Sequence, residues 1–212
     1  MAFASRWDAG VKLGDYLREQ LLQVDFVLGL PRGGVVVAAE VARKLDAPLD
    51  VLVVRKIGHP RHREFAVGAI AEPDIVILDR DAIERTHVHG DELREIIDEE
   101  QQRLHDYQAV FERNQPPDIT NKRVLIVDDG LATGSTMEVA VKSAHQRKAL
   151  EVSVAVPVSS SSAFDRIQAA HATVYALMVD PEFDAVGRFY DTFTQVEDDE
   201  VLELLRQRFS SH

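Results

Sequence analysis

Two adjacent carboxylates, Asp128 and Asp129, follow the apolar run Val124-Leu125-Ile126-Val127 and precede Gly130-Leu131-Ala132-Thr133-Gly134-Ser135-Thr136. A short apolar run bounded by turn residues reads as a parallel strand covered on both faces. The acid pair is therefore expected at that strand's carboxyl end, where open α/β sheets bind ligands. A helical pattern begins after the loop. Backbone N–H groups and the hydroxyls of Thr133, Ser135 and Thr136 thus arrive at a helix start, which suits a phosphate. Acceptors beside a phosphate cradle point to a sugar phosphate whose hydroxyls donate to the carboxylates.

Two better-known phosphate loops do not fit. A Walker loop needs Gly-Lys-Ser/Thr, whereas Gly134 is followed by Ser135 and no lysine comes before Lys142. A dinucleotide fingerprint needs three spaced glycines, and only Gly130 and Gly134 are present. The stretch 124–136 instead resembles the 5-phosphoribosyl 1-pyrophosphate (PRPP) signature of the type I phosphoribosyltransferases. The resemblance implies that Asp128 and Asp129 hold the ribose 2′- and 3′-hydroxyls, and that Ala132-Thr133-Gly134-Ser135-Thr136 wraps the 5′-phosphate. The reading without a ligand, a buried strand running into an N-capped helix, requires neither the paired carboxylates nor the Thr-Gly-Ser-Thr segment.

Other segments take roles from the same resemblance. Leu30-Pro31-Arg32-Gly33-Gly34 follows an apolar strand pattern, where paired glycines admit close approach of an anion and Arg32 offers a forked donor. The family has a pyrophosphate loop at this place, often with a cis peptide, so Arg32 and Gly33 are expected to bind pyrophosphate. Arg55-Lys56-Ile57-Gly58-His59-Pro60-Arg61-His62-Arg63-Glu64 is a dense basic run that resembles the entry to the flexible catalytic loop of adenine-type enzymes. Arg55, Lys56 and Glu64 become catalytic candidates, the cations for the leaving pyrophosphate and Glu64 for protonating the base; a solvated basic loop is the alternative. Phe189 or Tyr190 could stack on a planar base, or these rings could cover a sheet edge. The 6-oxopurine enzymes carry an aspartate just before Thr-Gly. Ala132 stands there instead, with a side chain that neither donates nor accepts, which favours an adenine-like acceptor. Mg²⁺ is expected through substrate oxygens rather than protein ligands. The eight histidines give no metal-site spacing, with His87 and His89 read as a surface pair.

The elements that must position these residues alternate. Helices are expected over 5–23, 33–45, 91–113, 138–148 and 163–170, the last with Ser162 and Asp165 as a capping pair. Strands are expected over 26–30, 49–54, 65–71, 75–78, 124–127, 152–158 and 173–179. Alternation implies an α/β fold, a doubly wound, mostly parallel sheet with helices on both faces and a small hood. The whole chain, 1–212, is read as one such domain, with a helical insertion near 84–115 and a hood or tail near 180–212. The 91–113 helix carries an apolar face suited to packing on the sheet or on a neighbouring subunit.

Composition sets the outer bounds. With 212 residues the chain can bury a substantial core, and with no cysteine it has neither disulfides nor a thiolate site. The net charge of −12 argues against general nucleic-acid binding. PRPP is itself anionic, so local cations must invert the field within one cleft. Met1 leads into a segment with neither a basic start nor a long apolar run, so no signal peptide, no membrane span and a cytoplasmic location are expected. The expected partners are PRPP and a small aromatic base, in a homodimeric phosphoribosyltransferase. The rival is a PRPP-sensing regulator of the same fold without catalysis, for which a basic nucleic-acid face is missing. A PRPP synthase would need two copies of such a domain.

Overall fold

Ser5 opens the first helix. Its Oγ accepts from the Asp8 N–H at 3.3 Å, and Asp8 in the first turn and Arg18 in the last complement the helix dipole. This helix, α1 (Arg6–Glu19), is followed by β1 (Phe26–Gly29), α2 (Gly33–Leu45), β2 (Leu49–Val51), β3 (Val54–His59), β4 (His62–Ala71) and β5 (Ile75–Leu78). Next come α3 (Arg80–Thr86), α4 (Gly90–Val110), β6 (Arg123–Val127) and α5 (Ser135–Gln146). The chain continues through β7 (Glu151–Ser160), α6 (Ser161–Ala169), β8 (Thr173–Asp180), a 3₁₀ turn (Val186–Phe189) and α7 (Asp198–Gln207). The computed structural model describes residues 3–111 and 115–207, without the side chains of Glu64 and Gln207.

These elements fall into two units, Met1–Leu52 with Pro117–His212, and Val53–Pro116. The first holds a five-stranded, fully parallel sheet in the order β2-β1-β6-β7-β8. The fold is thus α/β with the doubly wound order the alternation implied. β1 continues outward to β2 on one side, while β6 continues to β7 on the other. The chain therefore diverges between β1 and β6, and their carboxyl ends frame the crevice where such sheets bind ligands. At the opposite end Asp25 fixes their register. It accepts from the Arg123 backbone N–H at 2.7 Å and from its guanidinium, which holds the Asp25 carboxyl down at about 2.

One apolar cluster joins α1, α2 and the sheet. Leu13, Leu17, Val37, Val41, Val27, Leu125 and Val127 are fully buried in it, each side chain contributing ~1.5–3 kcal/mol. β7 is buried at every position after Glu151, which explains its near-continuous apolar run.

The second unit is an antiparallel sheet, β3-β4-β5, with α3 and α4. It begins well before the insertion expected near 84, because β3 to β5 pair with one another and form a sheet of their own. The strand expected over 49–54 accordingly ends at Val51, and Val54 opens a different sheet. Residues 55–64, expected as a flexible loop, are instead the hairpin β3–β4, turning at Pro60-Arg61. Helix α4 answers its charges: Arg55 pairs with Glu100 at 3.0 Å, Arg61 with Glu92 at 3.1 Å and Arg63 with Glu99 at 2.7 Å. The basic run is one half of a cross-element ion-pair ladder, which is why it takes regular structure. Glu100, itself buried, also accepts from Arg103 at 2.6 Å. His87 and His89 mark helix ends, His87 as the left-handed C-cap of α3 and His89 as the N-cap of α4.

Candidate active site

Gly33 and Gly34 open α2 and lie against the acid pair that ends β6. A Cβ on Gly33 would fall on Asp129 Oδ2, and one on Gly34 would sit 2.8 Å from Asp128 Oδ1. Both positions need glycine because the carboxylates occupy the space a side chain would take. The peptide joining Pro31 to Arg32 is cis. The Leu30 N–H donates to the Val127 carbonyl at 2.9 Å, which ties the loop before α2 to the root of the acid pair.

The two carboxylates have different surroundings. Asp128 Oδ1 accepts from the Asp129 N–H at 2.8 Å. Loss of hydration, then the charge of Asp129, push the Asp128 carboxyl well above the ordinary range, and Arg6 only partly offsets this. Asp129 Oδ2 accepts from Arg6 Nε at 2.7 Å, with both side chains largely withdrawn from solvent. Below the pair, the Tyr190 hydroxyl donates to the Asp129 carbonyl at 2.5 Å. Burial, then the Asp129 charge, raise the Tyr190 phenol, so it stays a donor at every ordinary pH.

The loop after the acid pair is pinned from behind and open in front. Leu131 bridges to Ser159, its N–H donating to the Val158 carbonyl at 2.9 Å and its carbonyl accepting from the Ser160 N–H at 2.9 Å. Ser160 Oγ donates to the Ala132 carbonyl at 2.7 Å and accepts from the Ala163 N–H at 3.0 Å, so Ser160, not the expected Ser162–Asp165 pair, caps α6. Leu131, Gly134 and Met137 are buried, while Ala132, Thr133, Ser135 and Thr136 are exposed. Gly134 caps α5 with φ of 72°, a left-handed conformation that favours glycine. Thr133 Oγ1 lies 3.0 Å from Ser135 Oγ at the first turn of α5, where N–H groups lack intrahelical acceptors. A convergent set of hydroxyls and N–H groups at a helix start can hold a phosphate, and the carboxylates nearby can hold hydroxyls.

The remaining predicted residues divide. Arg32 Nη1 stands 3.9 Å from both Glu197 Oε2 and Asp198 Oδ1, loose pairs that leave the guanidinium partly exposed. Gly33 is brought to Asp129, as described. Arg55 and Lys56 belong to the second unit, where they line a cavity of about 480 Å³ with Val54, Gly58, Arg63, Glu100 and Arg103. The Glu64 side chain lies outside the described residues. Tyr190 is not an open base platform. It is buried, its ring packs against Phe3 at 5.5 Å and Phe193 at 5.1 Å, and its hydroxyl is committed to Asp129. Phe189 stacks on Phe183 at 5.2 Å. The exposed ring near the acid pair is Phe193, with the Arg6 guanidinium 3.7 Å above its centre.

Arg6 and Ser160 are the site residues that sequence reasoning missed. Arg6 is 123 positions from Asp129, and no local pattern links the two. Ser160 had a usable signal in the serine run 159–162 before a helix, read two residues too late.

Among the described residues no helix is long and apolar enough to cross a membrane. A protein of Mycobacterium tuberculosis H37Rv bearing the name "Putative phosphoribosyl transferase Rv0571c" is 40% identical over 208 residues, which covers 96% of this chain and 46% of that protein. The chain thus spans about half the length of the curated relatives it matches. The crystal structure of TT1426 from Thermus thermophilus is 38% identical with a TM-score of 0.85, covering 98% of this chain and 99% of that one. AQ2163 from Aquifex aeolicus shares the fold alone, at 14% identity and a TM-score of 0.53 over 86% of this chain and 78% of that one. The family described as phosphoribosyl transferase domain matches residues 14–177, three quarters of the chain and all of the site's glycines and carboxylates, and the chain belongs to that family.

Proposed function

We propose that this protein transfers the 5-phosphoribosyl group of PRPP to a nitrogenous base with release of pyrophosphate. The observation that carries the reading is the acid pair at the end of β6, set at the divergence point of the sheet and followed by the exposed hydroxyls of Thr133, Ser135 and Thr136 at the start of α5. Asp128 and Asp129 would accept from the ribose hydroxyls, and the Ala132–Thr136 loop would hold the 5′-phosphate. Arg32 would exchange its loose carboxylate partners for pyrophosphate oxygens, a stronger bidentate match for a guanidinium.

In the reaction the bond from the anomeric carbon to pyrophosphate breaks and a bond to the base nitrogen forms, with positive charge on the ring and negative charge on the leaving group between the two. Positioning and electrostatics suffice for such a step, and no covalent intermediate on the protein is required. Mg²⁺, carried in on substrate oxygens, would supply neutralisation of the leaving pyrophosphate. The donor set fits that arrangement, because Asp129 already has Arg6 as its counter-ion and Asp128 already accepts from the Asp129 N–H. Arg55 and Lys56 are proposed to receive the pyrophosphate. What supports this is the resemblance of their run to the family's catalytic loop; in the second unit they line a cavity with Arg63, Arg103 and the buried Glu100.

The acceptor is proposed to be adenine-like. Ala132 offers no side-chain acid to a purine N7, and its carbonyl is already used by Ser160. Turnover of adenine, hypoxanthine, guanine, uracil and orotate with saturating PRPP and Mg²⁺, read as pyrophosphate release, tests the proposal. Adenine is expected to lead. Preference for hypoxanthine or guanine refutes the argument from Ala132, and PRPP binding with no turnover of any base favours a sensor.

A further inference from the structure

We infer that Arg6 is a positioning residue of the ribose site, a resident counter-ion that favours the charged form of the Asp128–Asp129 pair and holds Asp129 aimed at ribose hydroxyls. The inference rests on the PRPP reading above. Three contacts fix the guanidinium: Nε donates to Asp129 Oδ2 at 2.7 Å, Nη1 donates to the Thr194 carbonyl at 2.7 Å, and the plane lies 3.7 Å above the Phe193 ring. The side chains of Arg6 and Asp129 are only 12% and 15% exposed, so this is not one of the solvent-screened surface pairs that contribute little.

The geometry leaves work for the pair to do. Arg6 engages Asp129 through Nε at the single oxygen Oδ2, so the guanidinium does not occupy both oxygens of the carboxylate. Among the described residues, the groups facing the acid pair are Arg6, the two carboxylates themselves and the Tyr190 hydroxyl. Of these only Arg6 is a cation, and its field acts on Asp128 as well as on Asp129. Without it, two adjacent carboxylates with little hydration would share a proton. A protonated carboxyl offers fewer acceptor sites to a diol. A purely structural role, tying the amino-terminal segment to residues 189–194, is already served by backbone bonds: Phe3 N–H to the Phe189 carbonyl at 2.7 Å, Asp191 N–H to the Phe3 carbonyl at 2.8 Å and Thr192 N–H to the Ala4 carbonyl at 3.1 Å.

The test is the affinity for PRPP with Mg²⁺, measured by calorimetry from about pH 5 to about pH 9 for the wild type, Arg6→Gln and Arg6→Lys. The phosphates of PRPP titrate identically in all arms, so the ratio between proteins isolates the site. Arg6→Gln is expected to bind about tenfold more weakly than wild type near pH 6, with the gap closing as pH rises. Arg6→Lys is expected to stay within about threefold at every pH, because it keeps the charge and loses only the planar fork. A loss in Arg6→Gln that is the same at every pH overturns the inference, as does unchanged affinity. If Arg6→Gln does not fold, Arg6→Lys carries the test alone, and a pH-independent loss beyond tenfold in it overturns the inference. A wild type that binds no PRPP at any pH removes the PRPP reading and this inference with it. Wild-type binding with parallel profiles removes the inference alone.

Discussion

Replacing each carboxylate of the acid pair by its amide should move stability in opposite directions, although the two residues are adjacent. Asp128 is the group whose folded-state carboxyl is raised, chiefly by lost hydration and then by Asp129. A raised carboxyl favours the fold while it is protonated, and that favour is lost as pH rises through the folded-state value. At pH 8, well above the unfolded-chain value, Asp128 therefore costs the fold about 1.4 kcal/mol for each unit of elevation below that pH. Asp128→Asn removes the charge and keeps an oxygen to accept the Asp129 N–H. Its melting temperature is expected to rise by about 2–4 °C per kcal/mol relieved in a chain of this size. Asp129→Asn instead takes the anion from a guanidinium that is only 12% exposed. A hydrogen bond to a charged group is worth about 1.5–3 kcal/mol, of which relief of the repulsion on Asp128 returns a part. A net fall of ~2–5 °C is expected. Thermal melts followed by circular dichroism at pH 8 and pH 5 make the comparison. The Asp128→Asn gain should be largest at pH 8 and shrink as pH falls toward about 4, where the unfolded chain also holds its proton. Two variants that shift in the same direction, or an Asp128→Asn gain indifferent to pH, would refute the reasoning.

Three further outcomes follow from the geometry. Gly33→Ala places a methyl group on Asp129 Oδ2, so it should displace the acid pair and weaken PRPP binding at least tenfold in calorimetry; wild-type affinity in that variant would contradict the close approach. Tyr190→Phe removes the hydrogen bond to the Asp129 carbonyl and should lower stability by about 1 kcal/mol while reducing PRPP affinity, measured by denaturant titration and calorimetry on the same preparation. Lys56→Ala should lower kcat more than it weakens PRPP binding, because interactions with a leaving group matter most in the transition state; steady-state kinetics with the best acceptor base checks it, and an effect confined to PRPP affinity would count against the role.

The signature stretch was legible because its chemistry is local. An apolar strand, two carboxylates and a hydroxyl-rich helix start lie within residues 124–136, and the structure puts Asp128 and Asp129 where that order requires. The parallel sheet followed from alternation, and the α2 boundaries at Gly33 and Leu45 were readable from the paired glycines and the end of the apolar periodicity. Long-range pairing was not legible. Arg55, Arg61 and Arg63 look like a free basic loop until α4 supplies Glu100, Glu92 and Glu99 across a gap of more than thirty residues in the chain. Tyr190 looked like an open platform because its sequence neighbours are aromatic, whereas Phe3 arrives from the other end of the chain to cover it. Arg6 was invisible for the same reason. Its partners Asp129, Phe193 and Thr194 are brought together only when residues 3–6 and 189–194 meet beside β6.

The PRPP site proposed at the acid pair and the loop after it has a direct test. Isothermal titration of PRPP with Mg²⁺ into the wild type and into the Asp128→Asn, Asp129→Asn double variant tests it most directly, with circular dichroism confirming that the double variant is folded. Saturable binding to the wild type is expected, and none to the folded double variant. Undiminished affinity in the double variant, or no binding by the wild type, would contradict it.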